Sequence, residues 1–323
     1  MTPLVSVVIP VRNEAVDLRA CLEAVLAQDY PHDRIEVLVV DGGSTDGSPE
    51  LAGDVLSRSD LSWAVIDNPT GTTPSNLNVG LARASGSILC RVDARSLISV
   101  GHVRLCTAAL LAEPTRVVVG GGQRAVARPA ASVVARGIAR ALNNRWTTGL
   151  ARYRRSSAAG PADTVYLGAF FTEALRQVGG WAMELPTNQD FDLNQRLRAH
   201  GSVWFDPALT VRYLPRETLG ALGRQYFRFG RWKRRYWRLR STRPTPRQWA
   251  LLALPPACGA LGLVAVIRAP VPALAVAGTA GILLDAAGGE GRADVRVRAA
   301  GLLAGLVSSV SWWAGVIWER PRG

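Results

Sequence analysis

The stretch "LVSVVIPVRNEAVDLRACLEAVLAQDYPHDRIEVLVVDGGSTDGS", Leu4 to Ser48, decides the fold. "LVSVVIP" and "IEVLVV" are β-branched apolar runs, the pattern of strands buried in a parallel sheet. Between them, "NEAVDLRACLEAVLAQ" places Val16, Leu18, Cys21, Leu22, Val25 and Leu26 on one helical face. Strand, helix and strand close naturally as a right-handed βαβ unit. Working outward, "SWAVIDN" (62–68) and "GSILCRVD" (86–93) continue the alternation, with "TTPSNLNVGLARAS" as a helix between them. The start of the chain therefore predicts a doubly wound, mostly parallel α/β sheet. Residues 96–215 mix helices with short strands such as "RVVVGGG", in which Gly120 to Gly122 read as a turn. No basic segment precedes the first apolar run, so the N-terminus reads as a strand rather than a signal peptide.

The chain of 323 residues accommodates one large domain, or a domain with a smaller appendage. Its net charge is +13, and Lys233 is its one lysine, so the basic balance is carried by arginine. Such a balance suits nucleic acid, an anionic membrane surface or a phosphorylated substrate. Cys21, Cys90, Cys106 and Cys258 form no Cys-x-x-Cys pair, which argues against a zinc site or a disulfide framework and fits a reducing compartment. His32, His102 and His200 lack metal-ligand spacing and read as surface or core residues.

The C-terminal third changes character. "WALLALPPACGALGLVAVI" (249–267) carries no charge, and as a helix it would be roughly 28 Å long, enough to cross a bilayer core. "PVPALAVAGTAGILL" (270–284) is shorter and carries Pro270 and Pro272. "AAGLLAGLVSSVSWWAGVIW" (299–318) has Trp312, Trp313 and Trp318 near its end, as in an interfacial aromatic belt. These runs lack the polar face of a globular helix. Three crossings are expected, with Arg292, Arg296 and Arg298 on the inner side. The basic, aromatic stretch Arg224 to Arg247 lies directly before them. In that place it suits membrane phospholipid or a polyprenyl diphosphate acceptor better than RNA.

In open α/β sheets, ligands bind beyond the carboxyl ends of the strands. Three acidic stretches are expected there: "PVRNE" with Glu14, "DGGSTDGS" with Asp41 and Asp46, and "VDAR" with Asp93. Any one can be a helix cap, as Asp46 and Ser44 can for the next helix. Three at one edge point to a shared ligand site. No G-x-G-x-x-G follows the first strand and no G-x-x-x-x-G-K-[ST] occurs, which disfavours dinucleotide oxidoreductases and P-loop enzymes. A nucleotidyltransferase would want a Gly-rich basic loop after strand one, which "PVRNEAVD" is not.

"VSVVIPVRNE", "VLVVDGGSTDGS", "NPTGTTPSNLNVGLARASGSILCRVDA" and "NQDFDLNQRLRAHG", in this order and spacing, resemble glycosyltransferase family 2 across residues 4–235. More narrowly, "RVDA", "DTVYLGAF", "NQDFDLN", "QYFRFGRW" and the hydrophobic C-terminus resemble membrane-associated exopolysaccharide transferases of the succinoglycan-biosynthesis type. The resemblance implies a GT-A fold and inverting transfer of a sugar from a nucleotide-sugar donor, expected to be UDP-linked. The acceptor would be polyprenyl-linked or a saccharide precursor. The setting would be a bacterial-type cell membrane, multi-pass, with the catalytic domain cytoplasmic; membrane lipid is an expected partner and nucleic acid is not. The expected division is a catalytic domain at 1–223, a juxtamembrane segment at 224–247 and transmembrane helices at 248–323.

The same resemblance implies roles. Pro10, Asn13 and Glu14 match the loop around the donor base, and Asp41 matches the acid that hydrogen-bonds the base. Asp93 matches the first acid of the Asp-x-Asp motif, near the ribose, diphosphate and a divalent cation, Mg2+ or Mn2+. Asp190 matches the general base of the Glu-Asp motif, with Gln189 where the Glu usually stands. Gln225 and Arg228 are similar to the Gln-x-x-Arg-Trp element, but Phe229 replaces its Trp, so processivity is not implied. Arg95 stands where a second acid is usual. It cannot ligate a metal; it can pair with the donor diphosphate or with Asp93. That departure bears on metal binding more than on transfer. Asp190 can take the proton of an attacking hydroxyl; otherwise it is a favourable charge at a helix N-terminus. Asp192 is read as serving the acceptor side or as solvated. A non-catalytic assembly partner with the same fold is the rival reading.

Overall fold

The computed structural model describes residues 2–144, 158–245, 248–249, 252–253 and 293–318. The apolar runs at 249–267 and 270–284 lie, apart from residues 249, 252 and 253, outside the described residues. So do Arg247 and Arg292.

The strands are β1 (Val5–Val11), β2 (Ile35–Asp41), β3 (Ser62–Asp67), β4 (Ile88–Arg91), β5 (Ser96–Leu97), β6 (Arg116–Gly121), β7 (Gln123–Ala125), β8 (Gly160–Pro161), β9 (Tyr166–Phe171), β10 (Ser202–Phe205) and β11 (Val211–Tyr213). Eight form one sheet in the order β3-β2-β1-β4-β9-β6-β10-β8, and β5-β11-β7 form a second. Strands β3, β2, β1 and β4 are mutually parallel. Strand β9 runs antiparallel to both β4 and β6, and β10 runs parallel to β6. The mostly parallel α/β sheet expected from the sequence is present.

Alternation along β1 explains the double winding. Val5, Val7, Ile9 and Val11 face a core layer with Leu18, Cys21, Leu22 and Val25 of α1 (Ala15–Leu26). Val8 faces the opposite layer, with Leu77 and Leu81 of α3 (Thr73–Arg83). Successive strand side chains point to opposite faces, and both faces are covered, with Ser6 the one polar side chain of β1, hydrogen-bonded to Glu36. Helix α2 (Ser48–Leu56) links β2 to β3, and α4 (His102–Leu111) precedes β6. Helices α6 (Thr172–Gln177) and α7 (Gln189–Leu197) follow β9, while α5 (Val133–Asn143) lies between β7 and β8.

Two local expectations change. Val16 is exposed, because the inward place in the first turn of α1 is taken by Asp17. Gly120 and Gly121 belong to strand β6 rather than to a turn. A Cβ on Gly121 would lie 2.0 Å from the Leu209 carbonyl oxygen, so close backbone approach, not turn geometry, calls for glycine here.

The chain divides into two compact units, 1–124 with 151–214, and 125–150 with 215–323. In the second, α5, α8 (Leu219–Leu239) and α9 (Val295–Trp318) pack together. Thr218 caps α8 by accepting from Ala221 N–H at 3.2 Å. The packing of α8 on α9 is backbone-close: a Cβ on Gly230 would lie 2.0 Å from Trp312 O, and one on Gly315 2.1 Å from Phe227 O. Arg224, Arg228, Arg231, Arg235 and Arg238 are all exposed, and their spacing lays them along one face of α8. Among the described residues, α9 is the one helix long and apolar enough to cross a membrane. Leu303, Leu306, Val310 and Ile317 are exposed on it.

Candidate active site

Register brings three loops to one sheet edge. Val11 pairs with Asp41, and Asp41 with Asp67, so β1, β2 and β3 end level. Asp41 is buried, and its carboxylate accepts from Gly43 N–H at 3.0 Å, Ser44 N–H at 2.8 Å and Ser44 Oγ at 2.5 Å. The Asp41 side chain thus organises its own turn, in which Gly43 takes φ +76°. Asn13, at φ +53°, accepts from Thr45 N–H at 2.8 Å and donates its own N–H to Ser44 Oγ at 2.8 Å. Pro10 is half-buried one residue before the end of β1.

Asp46 joins two helix starts rather than capping one; the N-cap of α2 is Gly47. The Asp46 carboxylate accepts from Ser48 N–H at 3.1 Å and Ala15 N–H at 3.0 Å, tying the starts of α2 and α1. Desolvation pushes its pKa up, but hydrogen bonds from Ser48 and Ala15 outweigh this and lower it. The third loop is fixed by residues that sequence reasoning missed. Asn76 is buried and donates to Val11 O at 3.1 Å and Val40 O at 3.0 Å, while accepting from Asn68 at 2.9 Å. The available signal was an asparagine inside a helix, a residue that favours backbone partners over helix interiors.

The centre of the edge is held by a second missed residue, Arg91, at the end of β4. Its side chain is 6 % exposed. Nε donates to Asp93 Oδ1 at 2.7 Å and Nη2 to Asp93 Oδ2 at 3.2 Å, while Nη1 makes a short contact with Asp190 Oδ1. Desolvation would lower the Arg91 pKa, but Asp190 and Asp93 outweigh it and keep the group charged. Arg95 does not pair with Asp93. Its Nε donates to Glu14 Oε2 at 2.6 Å, its Nη2 lies 3.3 Å from Asp17 Oδ2, and its Nη1 donates to Leu214 O at 3.3 Å. The reason is local. Residues 91 and 93 are two apart on an extended segment and share a side, whereas a turn closed by Ser96 N–H to Asp93 O carries Arg95 away.

Asp190 lies in the first turn of α7, preceded by Asn188 at φ +68°. Its side chain is 46 % exposed. Burial by the surrounding protein is the largest push on its pKa, upward, opposed by Arg91 and reinforced by Asp93; water on the open side limits that push. The buried Trp181 indole N–H has no hydrogen bond of ordinary geometry, and it stands near enough to Asp190 to favour the charged carboxylate. Trp181 is itself clamped by Asn78 of α3, whose Oδ1 accepts from Trp181 N–H and whose Nδ2 donates to Trp181 O, both at 2.8 Å. Asp192 is not solvated: it is buried, and Arg196 Nε lies 2.9 Å from its Oδ2. Arg196 also donates to Val178 O at 2.6 Å and Gly180 O at 2.7 Å, which makes the pair structural. Gln189 is buried. Gln225 and Arg228 lie on α8, in the second compact unit.

The donor set for a divalent cation is thin. Asp93 supplies one carboxylate with 29 % exposure, and Arg95 supplies no acceptor. Among the described residues no three His, Cys, Asp or Glu gather as a metal cluster. A hard cation such as Mg2+ often takes one or two carboxylates, with substrate phosphates and water completing the shell. The residues fit a cation that arrives with a diphosphate, not one caged by protein alone.

A family model described as "Glycosyl transferase family 2" matches residues 6–165. The succinoglycan biosynthesis protein ExoA of Rhizobium meliloti (strain 1021) is 30 % identical over 271 residues, covering 82 % of this chain and 80 % of that one. Glycosyltransferase AglE of Haloferax volcanii is 42 % identical over 91 residues, 28 % of this chain and 30 % of its own. In fold, the chain is similar to mannosyltransferase PcManGT from Pyrobaculum calidifontis, solved with GDP-Man and Mn2+. The TM-score is 0.66 at 21 % identity, over 99 % of this chain and 89 % of that one. It is also similar to residues 1–349 of S. aureus TarS, solved with UDP, at TM-score 0.50 and 15 % identity over 79 % and 75 % of the two chains.

Proposed function

The chain belongs to glycosyltransferase family 2, and we propose that it is an inverting transferase working in polysaccharide assembly at the cytoplasmic face of a bacterial-type membrane. The donor is a nucleotide-sugar, read as UDP-linked, and the acceptor a lipid-linked saccharide or polyprenyl phosphate. The observation that carries this reading is the place of Asp190. It is an open carboxylate, paired with Arg91 and tied through it to Asp93 at the carboxyl edge of the sheet. Bound GDP-Man and UDP in proteins of similar fold support the donor class. The ExoA likeness supports the polysaccharide setting.

The chemistry follows from the arrangement. An acceptor hydroxyl attacks the anomeric carbon from the side opposite the diphosphate; the new O–C bond forms as the old one breaks, so configuration inverts. The hydroxyl proton passes to Asp190. The nucleoside diphosphate leaves with the electron pair and added negative charge. A divalent cation, when bound at Asp93, would neutralise part of that charge. Asn13 and Glu14 after β1, and the Asp41 turn after β2, border the region assigned to the donor base. Gln225 and Arg228 are assigned to the donor side by family resemblance; Arg95, which departs from the family motif, is read as a cation for the donor diphosphate from its chemistry.

Membrane placement rests on the arginine face of α8 and the apolar face of α9. Arginines clustered beside an apolar helix suit anionic lipid. The test is release of nucleoside diphosphate from a panel of UDP- and GDP-sugars, with a polyprenyl-linked saccharide, whose hydroxyl must lose a proton as it attacks, in vesicles. Release that needs both substrates and is lost in Asp190→Asn supports the proposal. Failure of every donor, or equal release without acceptor, overturns it.

A further inference from the structure

We infer that Arg91 is a positioning residue for sugar transfer: its forked guanidinium holds the Asp190 carboxylate at a fixed place relative to Asp93. The inference rests on the reading of Asp190 as the base.

Strand β4 is otherwise apolar at Ile88, Leu89 and Cys90, all buried. An arginine at the fourth position, itself buried, is costly there unless it is fully engaged. Packing alone would be served as well or better by an apolar side chain of similar volume. Arg91 instead uses separate edges of its fork. Nε and Nη2 take Asp93, and Nη1 takes Asp190, 99 residues further along the chain. A planar fork can do this, and a lysine ammonium, as a point charge, cannot reproduce it.

Asp190 needs such a hold. With 46 % of its side chain exposed, it has little packing to select one rotamer. Without a cation between them, Asp93 and Asp190 would repel, and the open Asp190 would swing toward water. Arg91 contacts Asp190 through Oδ1, while Trp181, fixed by Asn78, borders the same carboxylate. The base is therefore held from the sheet side by a charge and from the α3 side by a clamped indole. Its exposure leaves it open to an incoming hydroxyl.

The experiment uses the full chain with donor and acceptor at steady state. Arg91→Met is expected to lower kcat about 100-fold, the scale of a displaced general base. Donor KM should change by no more than roughly threefold, because the lost interaction matters in the transition state. Nucleoside diphosphate affinity without acceptor should match the parent. Arg91→Lys, which keeps charge without the fork, should recover part of kcat. In an Asp190→Asn background, Arg91→Met should cost nothing further, as expected for residues acting as one unit. A folded Arg91→Met with parental kcat, or with its whole loss in donor KM, overturns the inference. Should Arg91→Met not fold, Arg91→Lys decides: parental kcat overturns the positioning role, and a kcat loss at unchanged KM supports it. An active Asp190→Asn would instead overturn the base assignment, so the two failures are distinct.

Discussion

Arg95 and Glu14 are joined across the sheet edge by a 2.6 Å contact between Nε and Oε2, with Asp17 as a second carboxylate partner of the same guanidinium. The loop after β1 and the segment after β4 are thereby fastened together. Arg95→Ala would remove this guanidinium from beside Asp17, 2 % exposed, and Glu14, 16 % exposed. Breaking a buried pair from one side costs about 3–5 kcal/mol. Urea unfolding of Arg95→Ala should show a loss of this order; a variant as stable as the parent would refute the tie. Nucleoside and nucleoside diphosphate affinities of the same variant report separately on any contact of Arg95 with the donor.

Asp190→Asn keeps the shape and removes the proton acceptor. Transfer should fall by about 10²–10⁴-fold, with nucleoside diphosphate affinity near the parent's. In the parent, the acid limb of kcat should lie above the usual carboxylate range, since burial raises the Asp190 pKa with Asp93 adding to it and Arg91 opposing. The sign is fixed by the role: a base must be deprotonated, so activity falls as pH drops through that pKa. A limb at the ordinary carboxylate value would contradict the assignment.

His102 is buried and desolvation lowers its pKa from 6.5 to about 4. Between these values the unfolded chain binds the proton and the folded chain does not. Stability is therefore complete above about pH 6.5 and declines as pH falls toward about 4, by a total of about 3 kcal/mol. His102→Gln should flatten this part of the pH–stability curve. An unchanged slope would assign the acid loss elsewhere.

Gly121→Ala places a Cβ 2.0 Å from Leu209 O, against backbone that has no side chain to rotate away. Overpacking of this kind costs roughly 1–3 kcal/mol or more. A lowered thermal midpoint is expected, while Gly53→Ala, whose Cβ would meet nothing within 4 Å, serves as control.

The arginine face of α8 predicts a salt-sensitive attachment. Replacing Arg224, Arg231 and Arg235 together with Gln should weaken cosedimentation with vesicles rich in phosphatidylglycerol, by about 1 kcal/mol per arginine at the surface. Raising salt should weaken the parent's binding in the same way. Parental binding by the triple variant would remove the charge argument for membrane placement.

Much of this was legible in the sequence because it is local. Apolar β-branched runs separated by a helical period identify β1, α1 and β2, and acids placed just after strands mark the sheet edge where Glu14, Asp41 and Asp93 gather. Asp93 and Asp190 were marked by motif, and the structure links them through Arg91. Arg91 was not legible as their link, because a charge after "ILC" does not reveal a partner so distant in the chain. Asn76 and Asn78 were hidden in the same way: each satisfies backbone groups of elements far from it in sequence. Gly120 and Gly121 misled because glycine signals a turn and a close backbone approach alike. Val16 misled because periodicity cannot tell that Asp17 is drawn inward by Arg95.

The antiparallel strand β9 governs the order in which this chain can mature on the ribosome. Strands β3, β2, β1 and β4 can assemble from the first 91 residues, but β4 then presents a bare edge. Its partner does not emerge until Tyr166–Phe171 has been made, and β6, though synthesised earlier, has no neighbour on that side before then. The nascent protein therefore carries an unpaired apolar edge through some of its synthesis, the condition in which strand-edge aggregation and chaperone capture arise.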